Sequence, residues 1–152
     1  TEEANERDVL LELDYTGFIP DSYITDPSAK FEMYKSIASI TTEGQLEGLK
    51  SEAENRFGPI PEEVGNLFCI AEIKIICRKL KIYHLKETRG IADVEFSQVS
   101  ILNPSKVVHL VSLSGGRVRL DPRRMDHLTL DTQAVSLKDK AQFILETLRR
   151  LI

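Results

Sequence analysis

The closest approach to a phosphate-binding loop in this sequence is Gly44-Gln45-Leu46-Glu47-Gly48-Leu49-Lys50-Ser51. A nucleotide loop needs Lys directly after its second Gly, so that a compact nest of backbone N–H groups surrounds the phosphates, and it needs a strand just before. Here Lys50 stands one residue late in a segment patterned as helix, so the fragment is expected neither to bind nor to hydrolyse ATP. His84, His109 and His127 lie far apart, with no HExxH, no paired cysteines and no carboxylate at ligand spacing, which points away from a metal site. There is no GxSxG elbow, and although carboxylates are plentiful, none is flanked by the apolar residues that would raise its pKa for acid or base work. The fragment therefore reads as no enzyme, with no catalytic, cofactor-binding or metal-ligating residue of its own.

Two charged constellations remain. Arg117 and Arg119 are expected to project from one face of a strand, and Arg123, Arg124 and His127 follow closely. Together they read either as a basic patch for phosphates or as a solvated sheet face with Asp121 and Asp126 as neighbours. Glu52 and Arg56 stand one helical turn apart in the favourable acid-first order, an ion pair worth roughly 0.2–0.5 kcal/mol. A sharper reading joins Glu52 to Glu47, Glu54 and Asn55 as a polar surface for another module.

The elements that position these groups follow from periodicity and punctuation. Val9 to Tyr15 is a β-type run ending at Gly17, followed by an aromatic arm from Phe18 to Thr25. From Pro27, the recurrence of Phe31, Tyr34, Ile37 and Ala38 predicts a first helix. Thr42 with Gln45 has the form of a capping box, opening a second helix whose stripe is Leu46, Leu49 and Ala53 and which stops at Phe57-Gly58-Pro59. Pro61-Glu62-Glu63 has the first-turn chemistry of a third, apolar over most of its circumference and buried. Cys69 and Cys77 lie eight residues apart in it, ~12 Å at helical rise, too far for a bridge, and read as core thiols in a reducing compartment.

Strands then dominate: Ile82 to Glu87, a turn at Arg89-Gly90, and Ile91 to Phe96 with Ala92, Val94 and Phe96 on one face. Asn103-Pro104 caps a short helix that Ser114-Gly115-Gly116 breaks. Arg117 to Leu120 and Asp126 to Leu130 read as strands joined by the Asp121-Pro122 turn. A last helix, capped by Ser136, carries Ala141, Ile144, Leu145, Leu148 and Ile152 inward. The expected architecture is α+β, a helical first half packed on a mixed or antiparallel sheet, as a single domain over residues 9–152.

With 152 residues, 41% hydrophobic and 29% charged, the composition is that of a globular domain, and the net charge of −4 carries no polycationic signature. No apolar run reaches the length of a membrane helix, and Thr1-Glu2-Glu3-Ala4-Asn5-Glu6 is the reverse of a basic signal peptide, so a soluble, cytoplasmic chain without membrane contact is expected. The acidic residues 1–8, starting without Met, read as a linker from a longer chain.

Three segments in order, Ile19-Pro20-Asp21-Ser22-Tyr23-Ile24, then Tyr34-Lys35, then Arg56-Phe57-Gly58-Pro59-Ile60-Pro61, resemble the C-terminal domain of the bacterial transcription-repair coupling factor, Mfd. The resemblance runs from about Val9 to the end of the chain and is most specific up to about Pro61. Where the family usually has Asp before Arg-Phe-Gly, this chain has Asn55. The resemblance implies a long parent with a helicase-like motor that uses ATP and magnesium to translocate on double-stranded DNA. That parent would displace stalled RNA polymerase and recruit UvrA for nucleotide excision repair. It also implies that this domain packs on a UvrB-like module of the same chain and restrains UvrA recruitment, with Glu47, Glu52, Asn55 and Arg56 at the interface. The alternative from another class is a nucleic-acid-binding module that uses Arg117, Arg119, Arg123 and Arg124.

Overall fold

The computed structural model describes residues 9–14 and 17–152, so the acidic linker expected at residues 1–8 lies outside the described residues. In chain order the elements are β1 (Leu10–Glu12), α1 (Pro27–Ala38), α2 (Glu43–Phe57), α3 (Glu62–Lys79), β2 (Ile82–Thr88), β3 (Ile91–Phe96), α4 (Pro104–Leu113), β4 (Val118–Leu120), β5 (His127–Asp131) and α5 (Lys140–Arg149). Short 3-10 turns occupy Val99–Ile101 and Leu137–Asp139. The fold is α+β with a five-stranded mixed sheet, as expected. Contacts group the described residues into a helical unit ending at Ile75 and a sheet unit made of residues 9–14 with Ile76–Ile152; the division falls inside α3.

In the helical unit, side-chain chemistry sets the helix ends. Asp26 caps α1 by accepting the Ala29 N–H at 3.2 Å, with Pro27 placed where no donor is needed. The capping box forms: the Gln45 N–H donates to Thr42 Oγ1 at 3.1 Å, and Gln45 Oε1 accepts from the Thr42 N–H at 3.2 Å. Helix α2 stops at Gly58, whose φ of +96° and ψ of −170° fall in a region essentially reserved for glycine. Pro61 precedes α3 rather than opening it, and its carbonyl accepts the Gly65 N–H at 2.8 Å. The core of this unit gathers Ile19, Ile24, Met33, Ile37, Leu46 and Phe68, among others. The buried edge of α1 differs from the expected stripe. Met33 and Ile37, an i,i+4 pair, turn inward, which places Phe31 on the far side of the helix and leaves Tyr34 and Ala38 exposed as well.

In the sheet unit the strand order is β1-β2-β3-β5-β4, with β1 parallel to β2 and the other pairings antiparallel. Arg89 and Gly90 both take positive φ, +52° and +80°, as a two-residue hairpin turn matched to strand twist requires. Ala92, Val94 and Phe96 are buried, as their alternation predicts. Asn103 caps α4 through the Ser105 N–H at 2.9 Å, and Val107 and Leu110 supply its buried edge. Ser136 does not cap α5. Its hydroxyl bonds Asp139 Oδ2 at 2.7 Å ahead of a 3-10 turn, and the α-helix begins at Lys140. Leu151 rather than Ile152 closes the apolar stripe, because the final turn uses i→i+3 bonds that set Leu151 over Leu148. Cys77 is buried and Cys69 half-buried, with no disulfide between them, and burial pushes the Cys77 thiol up to about 12. No helix among the described residues is long and apolar enough to cross a membrane.

Candidate functional site

The three sequence segments that stood out separately meet in the helical unit. The Ile19 N–H donates to the Tyr34 hydroxyl at 2.8 Å, tying the arm to α1. The Tyr23 hydroxyl stands 2.9 Å from the Gly58 carbonyl oxygen and 3.2 Å from that of Ala53, so its single hydrogen is aimed at the end of α2. Burial, with the charge of Glu54 adding, raises the Tyr23 pKa, which keeps that hydrogen in place. The Tyr23 and Phe57 rings lie 5.8 Å apart at 56°, and the Arg56 guanidinium sits 4.8 Å over the other ring's centre. Lys30 reaches the Asp21 carboxylate, whose pKa the ammonium lowers.

This clamp fixes the face of α2 that the sequence singled out. Glu47, Glu52, Asn55 and Arg56 are all exposed. Arg56 Nη1 lies 4.0 Å from Glu52 Oε1, the expected i,i+4 pair, and Lys50 lies 3.8 Å from Glu47. Beside Glu52, a notch of 370 Å³ opens between α1 and α2, floored by Ile40 and Leu49 and rimmed by Ser36, Ser39 and Gln45. The face is thus a charged surface with an adjacent recess, on which Lys50 pairs with Glu47 and Arg56 is folded against the Phe57 ring.

The arginines of the sheet unit each have their own surroundings. Arg117 precedes β4 and lines a 190 Å³ cavity with Phe143, Glu146 and Arg150, whereas Arg119 turns its Nε–H back onto the Gly116 carbonyl at 2.9 Å. Arg124 is taken up by Asp121 at 2.7 Å and Asp93 at 3.4 Å, and its hydrogen bond holds the Asp121 carboxyl below the usual carboxylate range. Arg123 is exposed, with its backbone N–H on Asp121 at 2.9 Å.

Two further groupings correct the sequence reading. Glu87 is a buried carboxylate, facing inward two residues after Leu85 on β2. Lys140 meets it at 3.0 Å, the Thr132 hydroxyl donates to it, and the Asp14 N–H donates at 3.3 Å. That hydrogen bond to Glu87 raises the Lys140 pKa. Likewise, Asp93 and Glu95, remote in sequence, join the adjacent Asp126 around His127, with Asp93 at 2.9 Å and Glu95 and Asp126 at 3.6 Å. Period-2 alternation on β2 and β3 contained both signals, but the partners came from strands and helices that spacing does not link.

Residues 13–107 match a family model described as the TRCF domain. The chain is 29% identical to the transcription-repair-coupling factor of Borreliella burgdorferi over 97% of its own length and 13% of that protein's. With the protein of the same name from Escherichia coli it is 31% identical over 82% of its length, and with that of Rickettsia bellii 37% over 74%. The chain spans only 10 to 13% of the length of these relatives. A crystal structure of the C-terminal domain of transcription-repair coupling factor superposes with a TM-score of 0.80 at 22% identity, covering 97% of this chain and 93% of that one.

Proposed function

The chain belongs to the TRCF domain family, and from that membership we propose that it is the non-catalytic regulatory domain of a transcription-coupled repair translocase. In this reading the outward face of α2 packs on a UvrB-like module of the same parent chain and covers the surface that UvrA would use. The ATP- and magnesium-dependent motor, the double-stranded DNA and the stalled RNA polymerase belong to the rest of that parent. The observation that carries the reading is the clamp: the segments that carry the resemblance converge on the end of α2, along whose exposed side Glu47, Glu52, Asn55 and Arg56 are displayed. Interfaces within a chain are modest in area and reversible, which suits a charged face that competes with an external partner.

The test is UvrA binding to the full-length parent, to its Glu52→Lys variant and to a parent truncated before Val9, with circular dichroism as the folding control. Reversing the charge of exposed Glu52 sets like charges against a basic partner, so UvrA affinity rises in Glu52→Lys and rises further on truncation. Asn55→Asp, which supplies the family's usual charge, tightens the clasp and lowers UvrA affinity. Equal affinity across the parent, Glu52→Lys and the truncation overturns the restraint. A sheet-unit phosphate patch has weaker support, because Asp121 and Asp93 already neutralise Arg124.

A further inference from the structure

His127, at the start of β5, is nine-tenths buried, and its two ring nitrogens have different surroundings. Nδ1 lies 2.9 Å from Asp93 Oδ2, a carboxylate contact of the kind that orients a histidine ring and leaves Nε2 to face a ligand. Nε2 makes no hydrogen bond to any described residue and faces Glu95 Oε2 and Asp126 Oδ1, each 3.6 Å away. That spacing is too long for a hydrogen bond but close to what a cation requires, since two donors at about 2.1 Å from a tetrahedral metal stand about 3.4 Å apart. The three donor atoms lie within 4.8 Å of one another. Glu95 is itself oriented by the Tyr83 hydroxyl, which donates to Oε2. A carboxylate holding a histidine whose other nitrogen faces two further carboxylates is the outer-shell arrangement of metal-binding histidines.

We propose that His127, Glu95 and Asp126 form a binding site for a divalent zinc ion, with Asp93 and Tyr83 as positioning residues and the fourth position left to water. Imidazole with two carboxylates suits zinc better than magnesium, which prefers an all-oxygen shell. Bound there, the ion ties β3 to the segment between β4 and β5. Asp126 and His127 lie beyond residues 13–107, the stretch that matches the family model, so the site is a property of this chain's second half.

The experiment is calorimetric titration of the chain with zinc chloride, with magnesium chloride in parallel, followed by nitrogen NMR of the histidine rings. One zinc per chain is expected, perturbing His127 Nε2 while Nδ1 stays protonated, and magnesium gives no such response. Asp126→Asn and Glu95→Gln, isosteric changes at partly exposed side chains, weaken zinc by at least about tenfold, and Asp93→Asn by about 10–100-fold. His109→Asn, on the exposed side of α4, leaves it unchanged. The proposal is overturned if no saturable zinc binding occurs, if Asp126→Asn and Glu95→Gln bind as tightly as the parent sequence, or if His109→Asn abolishes binding.

Discussion

Replacing Gly58 by Val separates backbone strain from packing at the clamp. A Cβ placed on Gly58 meets nothing within 4 Å, so no steric contact in the folded state penalises the change. The cost resides in φ +96°, ψ −170°, where a non-glycine residue is strained by about 1–3 kcal/mol and a β-branched one falls at the upper end. The chain cannot relax this freely, because the Gly58 carbonyl receives the Tyr23 hydroxyl and its N–H donates to the Glu54 carbonyl at 3.0 Å. Rotating the peptide to a permitted region forfeits both the tyrosine bond and the bond to Glu54, about 1 kcal/mol each. Either route gives a loss of about 2–3 kcal/mol, a fall in Tm of roughly 4–12 °C for a chain of this size. Urea denaturation of the wild type, Gly58→Val, Tyr23→Phe and the double variant measures it. Tyr23→Phe alone costs about 1 kcal/mol, and the double variant costs less than the sum if the two act through one carbonyl. An unchanged midpoint for Gly58→Val refutes the argument.

Lys140→Met removes the cation from the buried Glu87 carboxylate and destabilises by about 3 kcal/mol, most of it regained in Lys140→Met/Glu87→Gln, as read by chemical denaturation at neutral pH. Because Glu87 raises the Lys140 pKa in the fold, its stabilisation is complete below the ordinary lysine pKa and declines as pH climbs through the higher folded value, so the gap between wild type and Lys140→Met is level at neutral pH and narrows only in strong alkali. Cys77, buried with its thiol pushed up to about 12, stays unalkylated by iodoacetamide at pH 8 in the native protein and reacts in urea, as mass spectrometry of the peptides would show.

What the sequence disclosed and what it concealed divide along the distance over which each feature is encoded. The Thr42–Gln45 box, the Asn103-Pro104 start and the Arg89-Gly90 turn are written in neighbouring residues, and each formed where its chemistry demanded. The turn from α3 into β2 passes through a left-handed residue that is Lys81, not a glycine, so no glycine in the sequence marks it. Tyr34 carried a helical apolar spacing, yet its task is to accept a hydrogen bond from Ile19, and periodicity does not distinguish a ring that packs from one that reaches. Buried Glu87 was invisible because its counter-ion, Lys140, comes from α5. The histidine cluster was hidden for the same reason, since β3 and β5 become neighbours only when the sheet forms.

Strand β1 shows how such distant encoding constrains the order of assembly. It is three residues long, lies at the sheet edge and pairs in parallel with β2, Leu10 opposite His84, so the whole helical unit lies between the two strands in the chain. Closing 74 residues of chain carries an entropic penalty of ~4 kcal/mol from its length alone, against a short ladder and the ties of Glu12 to His84 and Asp14 to Lys140. The balance makes β1 a late arrival in folding and an early departure in local unfolding, with amide protons at Leu10–Glu12 exchanging through a partial opening while those of β3 await the global transition.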